Sequence, residues 1–204
     1  MALVILFLFL LLRNSLALNV VIAGGTGTLG KMVASRLDGH QVTILCRNSF
    51  LAAAPNKVTE AFGWVGASFL ELNPHVQLRD WDGGDLLDIV GKDWVGWQED
   101  TLAKADVIVN MCGGYTQQRN MATERIVRES LRVNPKALQV AVAPAEEDIK
   151  VLTPGMLTMK IKRLVECEEM VKKNCLNSKC LRLEAYNLQG SCQRIIDAIQ
   201  SAKV

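Results

Sequence analysis

The sequence predicts an α/β chain built on one doubly wound, mostly parallel sheet. Three observations carry that expectation. Short apolar, β-branched runs recur along the chain and stop at turn-forming residues. Segments of helical periodicity alternate with them. The length, 204 residues, suits one sizeable core and is short for two.

The elements follow in order. Asn19 to Ala23 is a buried-type strand that ends at glycines. Thr28 to Leu37 is a helix with Leu29, Met32, Val33 and Leu37 on one stripe, closed by Gly39 and His40. Gln41 to Cys46 is the second strand. Lys57 to Leu72 reads as an amphipathic helix interrupted by Gly63 and Gly66 and ended by Pro74. Val76 to Arg79 is the third strand, and the Gly-, Asp- and Trp-rich stretch from Asp80 to Thr101 reads as a structured loop with short helical pieces. Ala105 to Met111 is the fourth strand, followed by Gly113 and Gly114. A helix over Ala122–Arg132, a strand over Ala137–Val142, a long helix over Met159–Lys173, a strand over Cys180–Leu183 and a closing helix over Ser191–Ala202 complete the series. Residues 18–204 are expected to form one domain.

Composition excludes several classes. Half the residues are apolar and 22% are charged, which is a globular balance. A net charge of +2 gives no footprint for a nucleic acid. The basic residues between Lys160 and Lys173 alternate with Glu166, Glu168 and Glu169, as on a solvated helix face. The six cysteines form no CxxC pair, and none has a histidine at a metal-ligand spacing, so no metal is expected. Cys46, Cys112 and Cys167 read as buried thiols, and Cys175, Cys180 and Cys192 as nearer the surface. His40 and His75 read as surface-loop residues. Trp64, Trp81, Trp94 and Trp97 read as a satellite core over the sheet.

The N-terminus is unlike the rest. An apolar run extends unbroken from Ala2 to Leu12, well short of the roughly 20 residues of a bilayer-spanning helix. It is similar to the core of a signal peptide, with Ser15-Leu16-Ala17 supplying small residues for cleavage, although Arg13 follows the run instead of preceding it. The expectation is a targeting segment over residues 1–17. It sends the chain to the secretory pathway or an organelle and touches a membrane through residues 2–12; the alternative is a cytoplasmic protein with an apolar arm.

The chemistry lies in Gly24-Gly25-Thr26-Gly27-Thr28-Leu29-Gly30, between the first strand and the first helix. The turn reads as GxGxxG on Gly25, Gly27 and Gly30, or as GxxGxxG on Gly24, Gly27 and Gly30. Glycines here permit a sharp turn, let main chain approach a pyrophosphate, and allow close helix packing. The phosphates would lie at the helix N-terminus, where free N–H groups and the helix dipole favour negative charge. The strand–turn–helix setting is the one this motif requires. It marks a Rossmann-type domain that binds a dinucleotide. The second strand ends Cys46-Arg47-Asn48, with no carboxylate to accept from a ribose 2′-hydroxyl. Arg47 suits a 2′-phosphate instead, so NADP(H) is expected, with NAD(H) as the alternative.

With Ala23 ahead of it, the turn resembles that of the short-chain dehydrogenase/reductase superfamily, and in particular its atypical and extended branch of epimerase-like and NmrA-like proteins. The resemblance implies further cofactor contacts. Asn110, Cys112 and Gly113 match the segment after the fourth strand that lines the cofactor. Asp82 or Asp85 matches the acid that meets the adenine amino group, and Asn48 lies beside the 2′-phosphate site. Arg119 to Ser130 is similar to the helix that follows the fourth strand. Lys162, Glu166 and Cys180-Leu-Arg182-Leu-Glu184 resemble the tail of NmrA-like members.

One part of the pattern is missing. Catalytic members use a YxxxK pair, in which the lysine lowers the tyrosine pKa. With Lys162 as the lysine, the tyrosine position holds Thr158, whose hydroxyl is far too weak an acid. Tyr115 and Lys162 are the only catalytic candidates, and the catalytic set is otherwise unassigned. Three functions compete. The first is a small NADP(H)-dependent reductase that passes hydride to an unidentified acceptor without the tyrosine. The second is a non-catalytic dinucleotide-binding sensor or scaffold. The third, a nucleotide-sugar epimerase, needs the absent pair.

Overall fold

A computed structural model describes residues 17–59, 63–81, 83, 96–112, 117–152 and 157–203. The strands are β1 (Asn19–Ala23), β2 (Gln41–Cys46), β3 (Val76–Asp80), β4 (Val107–Asn110), β5 (Leu138–Pro144) and β6 (Ser178–Leu183). The helices are α1 (Thr28–Ser35), α2 (Ser49–Ala52), α3 (Ala67–Leu72), α4 (Trp97–Thr101), α5 (Gln117–Val133), α6 (Glu146–Leu152), α7 (Leu157–Asn174) and α8 (Leu188–Gln200). All described strand pairs are parallel, in the order β3-β2-β1-β4-β5-β6. The expected doubly wound α/β sheet is what the chain forms.

The period-2 alternation of β1 builds two cores, one on each face. Val20 and Ile22 face α1 and α8, with Val33, Leu37, Ile195 and Ile199. Val21 and Ala23 face α4 and α5, with Trp97, Leu102 and Ile126. Each fully buried aliphatic side chain contributes about 1.5–3 kcal/mol, which is why the sheet's strands are β-branched on both faces. The second face continues over β5, where Ala141 packs with Val127 of α5 and Val171 of α7. Trp81 and Trp97 meet edge to face, their ring centroids 5.5 Å apart, inside this core. Trp64 lies elsewhere, and Trp94 is outside the described residues.

Three expectations change. Among the described residues, the helix read over Lys57–Leu72 is confined to Ala67–Leu72, because Gly66 takes φ +95, a left-handed conformation that starts the helix instead of interrupting it. His40 and His75 are structural: the Leu18 amide donates to His40 Nδ1 at 3.0 Å, and His75 Nε2 bonds the Ala34 carbonyl at 2.9 Å. Cys175 and Cys192 are buried, whereas Cys112 and Cys180 are half-buried, all as free thiols. The short helix α4 is one of the helical pieces expected within the stretch from Asp80 to Thr101, and α6 lies in a stretch without a sequence-based expectation. Among the described residues no helix is long and apolar enough to cross a membrane, and no group of three or more His, Cys, Asp or Glu could hold a metal ion. The apolar run over residues 2–12 lies outside them.

Candidate functional site

Strand order reverses between β1 and β4, whose carboxyl ends flank a crevice, as doubly wound sheets require at their switch point. The glycine turn fills the β1 side, and each glycine has a different neighbourhood. Gly24 has φ +78, and a Cβ on it would come within 2.9 Å of the Cys112 nitrogen, so the turn lies directly on the main chain leaving β4. Gly25 is pressed on Ile22, its Cβ position 2.8 Å from the Ile22 Cγ2. Gly30, inside α1, has a Cβ position 2.5 Å from Gly25 Cα and oxygen. The tight helix contact is therefore with the turn itself, not with the sheet. Gly27 is the exception: a Cβ there meets nothing within 4 Å. It is also the N-cap of α1, with no side chain to satisfy the helix's first amides. Thr28 and Leu29 supply those amides. The geometry is a cradle left open at one glycine and clamped at the other three.

The β2–β3 connection folds against this cradle. Gly63, at φ +74, sits against the Thr26 side chain. The Trp64 indole donates to the Ala54 carbonyl at 2.8 Å and lies under Lys31 Nζ, 5.1 Å from the ring centre. Arg47 emerges from the end of β2 with its stem against Gly83, where a Cβ would come within 3.1 Å of Arg47 Cδ. Asn48 caps α2, its side-chain oxygen accepting from the Leu51 amide at 2.9 Å. Asp80, at the end of β3, accepts from the Ser49 amide. Asp82, Asp85, Gly113 and Tyr115 lie outside the described residues.

On the β4 side, Asn110 is 6% exposed. Its amide donates to Thr123 Oγ1 at 3.0 Å, and its oxygen accepts from the Cys112 amide at 3.1 Å. It thus shapes the turn against which Gly24 rests. Burial pushes the Cys112 thiol up from 9.0 to about 12, against the opposing charges of Arg119 and Arg47. The Cys175 thiol rises to about 11 for the same reason. A thiol that keeps its proton when folded stabilises the protein at pH below 9 and loses that advantage as the unfolded chain ionises. The urea midpoint should therefore fall as pH rises from 9 toward 12. A midpoint that stayed flat across that window would contradict the burial of these thiols.

Beside the crevice, the carboxyl ends of β4, β5 and β6 enclose a cavity of about 220 Å³. Leu29, Met111, Val142, Pro144 and Leu188 give it apolar walls, and Arg119 lines it too. Arg119 is 4% exposed. Its guanidinium donates to the carbonyls of Cys112 (3.3 Å) and Val142. Sequence reading placed Arg119 only as the start of a helix. A charge in a first helical turn reads as solvated, and nothing in its spacing signals burial. Lys162 is not brought here: its side chain is 73% exposed on α7, with Nζ 3.9 Å from Glu166. Tyr186 is 75% exposed.

No family model matches the chain, and no curated protein matches it. Solved structures do. A metagenomic short-chain oxidoreductase crystallised with NADP is similar over 93% of this chain and 94% of its own, with a TM-score of 0.55 and 12% identity. WbmF of Bordetella bronchiseptica, crystallised with NAD+ and UDP, is similar over 83% of this chain at TM-score 0.50 and 16% identity; the chain covers 50% of that enzyme's length. NmrA, a negative transcriptional regulator crystallised with NADP, is similar over 81% of this chain and 44% of its own, at TM-score 0.51 and 14% identity. At these identities the likeness establishes the fold. The chain is a Rossmann-fold α/β protein of the architecture that the short-chain oxidoreductase, WbmF and NmrA share.

Proposed function

We propose that this chain binds a dinucleotide across the β1/β4 crevice, NADP(H) ahead of NAD(H), and acts as a small reductase without a YxxxK tyrosine. The carrying observation is the open space at Gly27 inside a turn whose other glycines are clamped. A turn that only needed to be tight would have no reason to leave that position bare. The residues present fit the group. Amides at the front of α1 would hold the pyrophosphate. Arg47, at the end of β2, would meet the 2′-phosphate, with Asn48 and α2 shaping that end of the site. The cofactor supplies the hydride; the chain's part is to seat it and keep water from the reacting face. The apolar walls around Met111, Val142 and Leu188 suit that part. Lys162, the candidate among the described residues, is exposed and paired to Glu166, which does not suit it to donate a proton at the crevice. That favours acceptors protonated by water, such as flavins or quinones, over the epimerase reading.

The same exposure of Lys162 keeps a non-catalytic sensor or scaffold as the second reading. Two measurements separate them. NADPH at a hundredfold excess over its Kd should raise the melting temperature by about 5–10 °C. NADPH should also be consumed with a panel of quinones, flavins and carbonyls under the first reading only. Arg47→Ala should weaken NADPH by about 10- to 100-fold and leave NADH unchanged. Equal losses for both nucleotides would remove Arg47 from the 2′-phosphate site.

A further inference from the structure

We propose that Arg119 makes this site select the reduced dinucleotide over the oxidised one; the inference rests on the dinucleotide reading above. The cavity beside the crevice, about 220 Å³, has room for a single ring and little more. Leu29, the second residue of α1, and Met111, the residue after β4, belong to both cavity and crevice rim. A dinucleotide whose pyrophosphate lies on α1 therefore has this cavity within reach of its nicotinamide end. The two redox forms differ there in one respect that matters: the oxidised ring carries a positive charge and the reduced ring is neutral.

Arg119 is a fixed cation in the wall. Hydrogen bonds to the Cys112 and Val142 carbonyls tie it to the ends of β4 and β5, so it cannot swing out to relieve repulsion. An arginine keeps its proton under all ordinary conditions. Its electrostatic surroundings include the Cys112 and Cys167 thiols and a second cation, Arg182, which is itself paired with Glu168. Glu184 also lines the cavity and would favour the oxidised ring, but it is exposed at the mouth, where solvent screens it. The buried cation therefore dominates. A like charge a few ångströms away in a partly desolvated site weakens the oxidised form by about 10-fold or more.

The test compares equilibrium affinities of NADPH, NADP+ and 2′-phospho-ADP-ribose for the full chain. The last lacks the ring and so isolates what the ring adds, with no substitution needed. The expected order is NADPH tightest, 2′-phospho-ADP-ribose next and NADP+ weakest, with about 10-fold or more between NADPH and NADP+. Arg119→Met should bring NADPH and NADP+ together, mainly by tightening NADP+. If that variant does not fold, the three-ligand order in the wild-type protein still decides. NADP+ binding as tightly as NADPH while all three bind overturns this inference alone. No binding by any of the three overturns the dinucleotide reading and this inference with it.

Discussion

Gly27→Asp is expected to keep the fold at least as stable as the wild type and to abolish the NADPH-dependent rise in melting temperature. The two effects have separate causes. At φ −79 and ψ 173 Gly27 has extended backbone that any residue adopts, and its Cβ position is open. Aspartate is among the best N-caps, and its charge suits the positive end of α1, so the substitution should add about 0.5–1 kcal/mol in the absence of ligand. The same carboxylate would occupy the space the pyrophosphate needs and repel it. Binding should fall beyond detection in a thermal-shift or calorimetric titration. A glycine kept for backbone reasons would behave in the opposite way, with stability lost and ligand response kept. An undiminished NADPH response in a folded Gly27→Asp protein would sink the site assignment.

That prediction depends on a part of the molecule that was legible from sequence. β1 and β2 run as read because β-branched apolar residues stop abruptly at Gly24 in one and at the polar Arg47-Asn48 in the other. The glycine spacing is enough to locate the crevice at the end of β1. What sequence could not supply was which glycine is open and which are clamped. Gly24, Gly27 and Gly30 look alike in a motif, and only their neighbours across the fold separate them. The role of Asn110 was hidden for a similar reason: its Thr123 partner lies on α5 and is not a local neighbour. α5 itself begins at Gln117, earlier than its apolar stripe, because its first turns are polar. α6 (Glu146–Leu152) has two turns and an acidic start, too short for periodicity to register. β5 runs through Val142 to Pro144, where a proline is tolerated at the end of a strand. Arg119 gave no signal at all, because burial of an arginine is decided by tertiary contacts and not by pattern.

Gly30→Ala should have the largest effect on stability of any single methyl added to the turn. Its Cβ would stand 2.5 Å from both Cα and the carbonyl oxygen of Gly25, which is main chain and cannot rotate away. Nor can Gly25 retreat, since its other side meets Ile22 and Ile44. Gly24 blocks the remaining direction, held against Cys112 in a left-handed conformation. Relief therefore requires α1 to lift from the turn, which would expose Val33 and Leu37. Overpacking of this kind costs about 1–3 kcal/mol or more, out of a total stability of about 5–15 kcal/mol. In a domain of this size the melting temperature should drop by about 5–10 °C. Gly39→Ala is the internal control: its Cβ meets nothing within 4 Å, so the same added methyl should leave stability level or slightly raised. Equal melting temperatures for the two variants would mean that α1 is not clamped to the turn. The amides at its front would then have no fixed position from which to grip a phosphate.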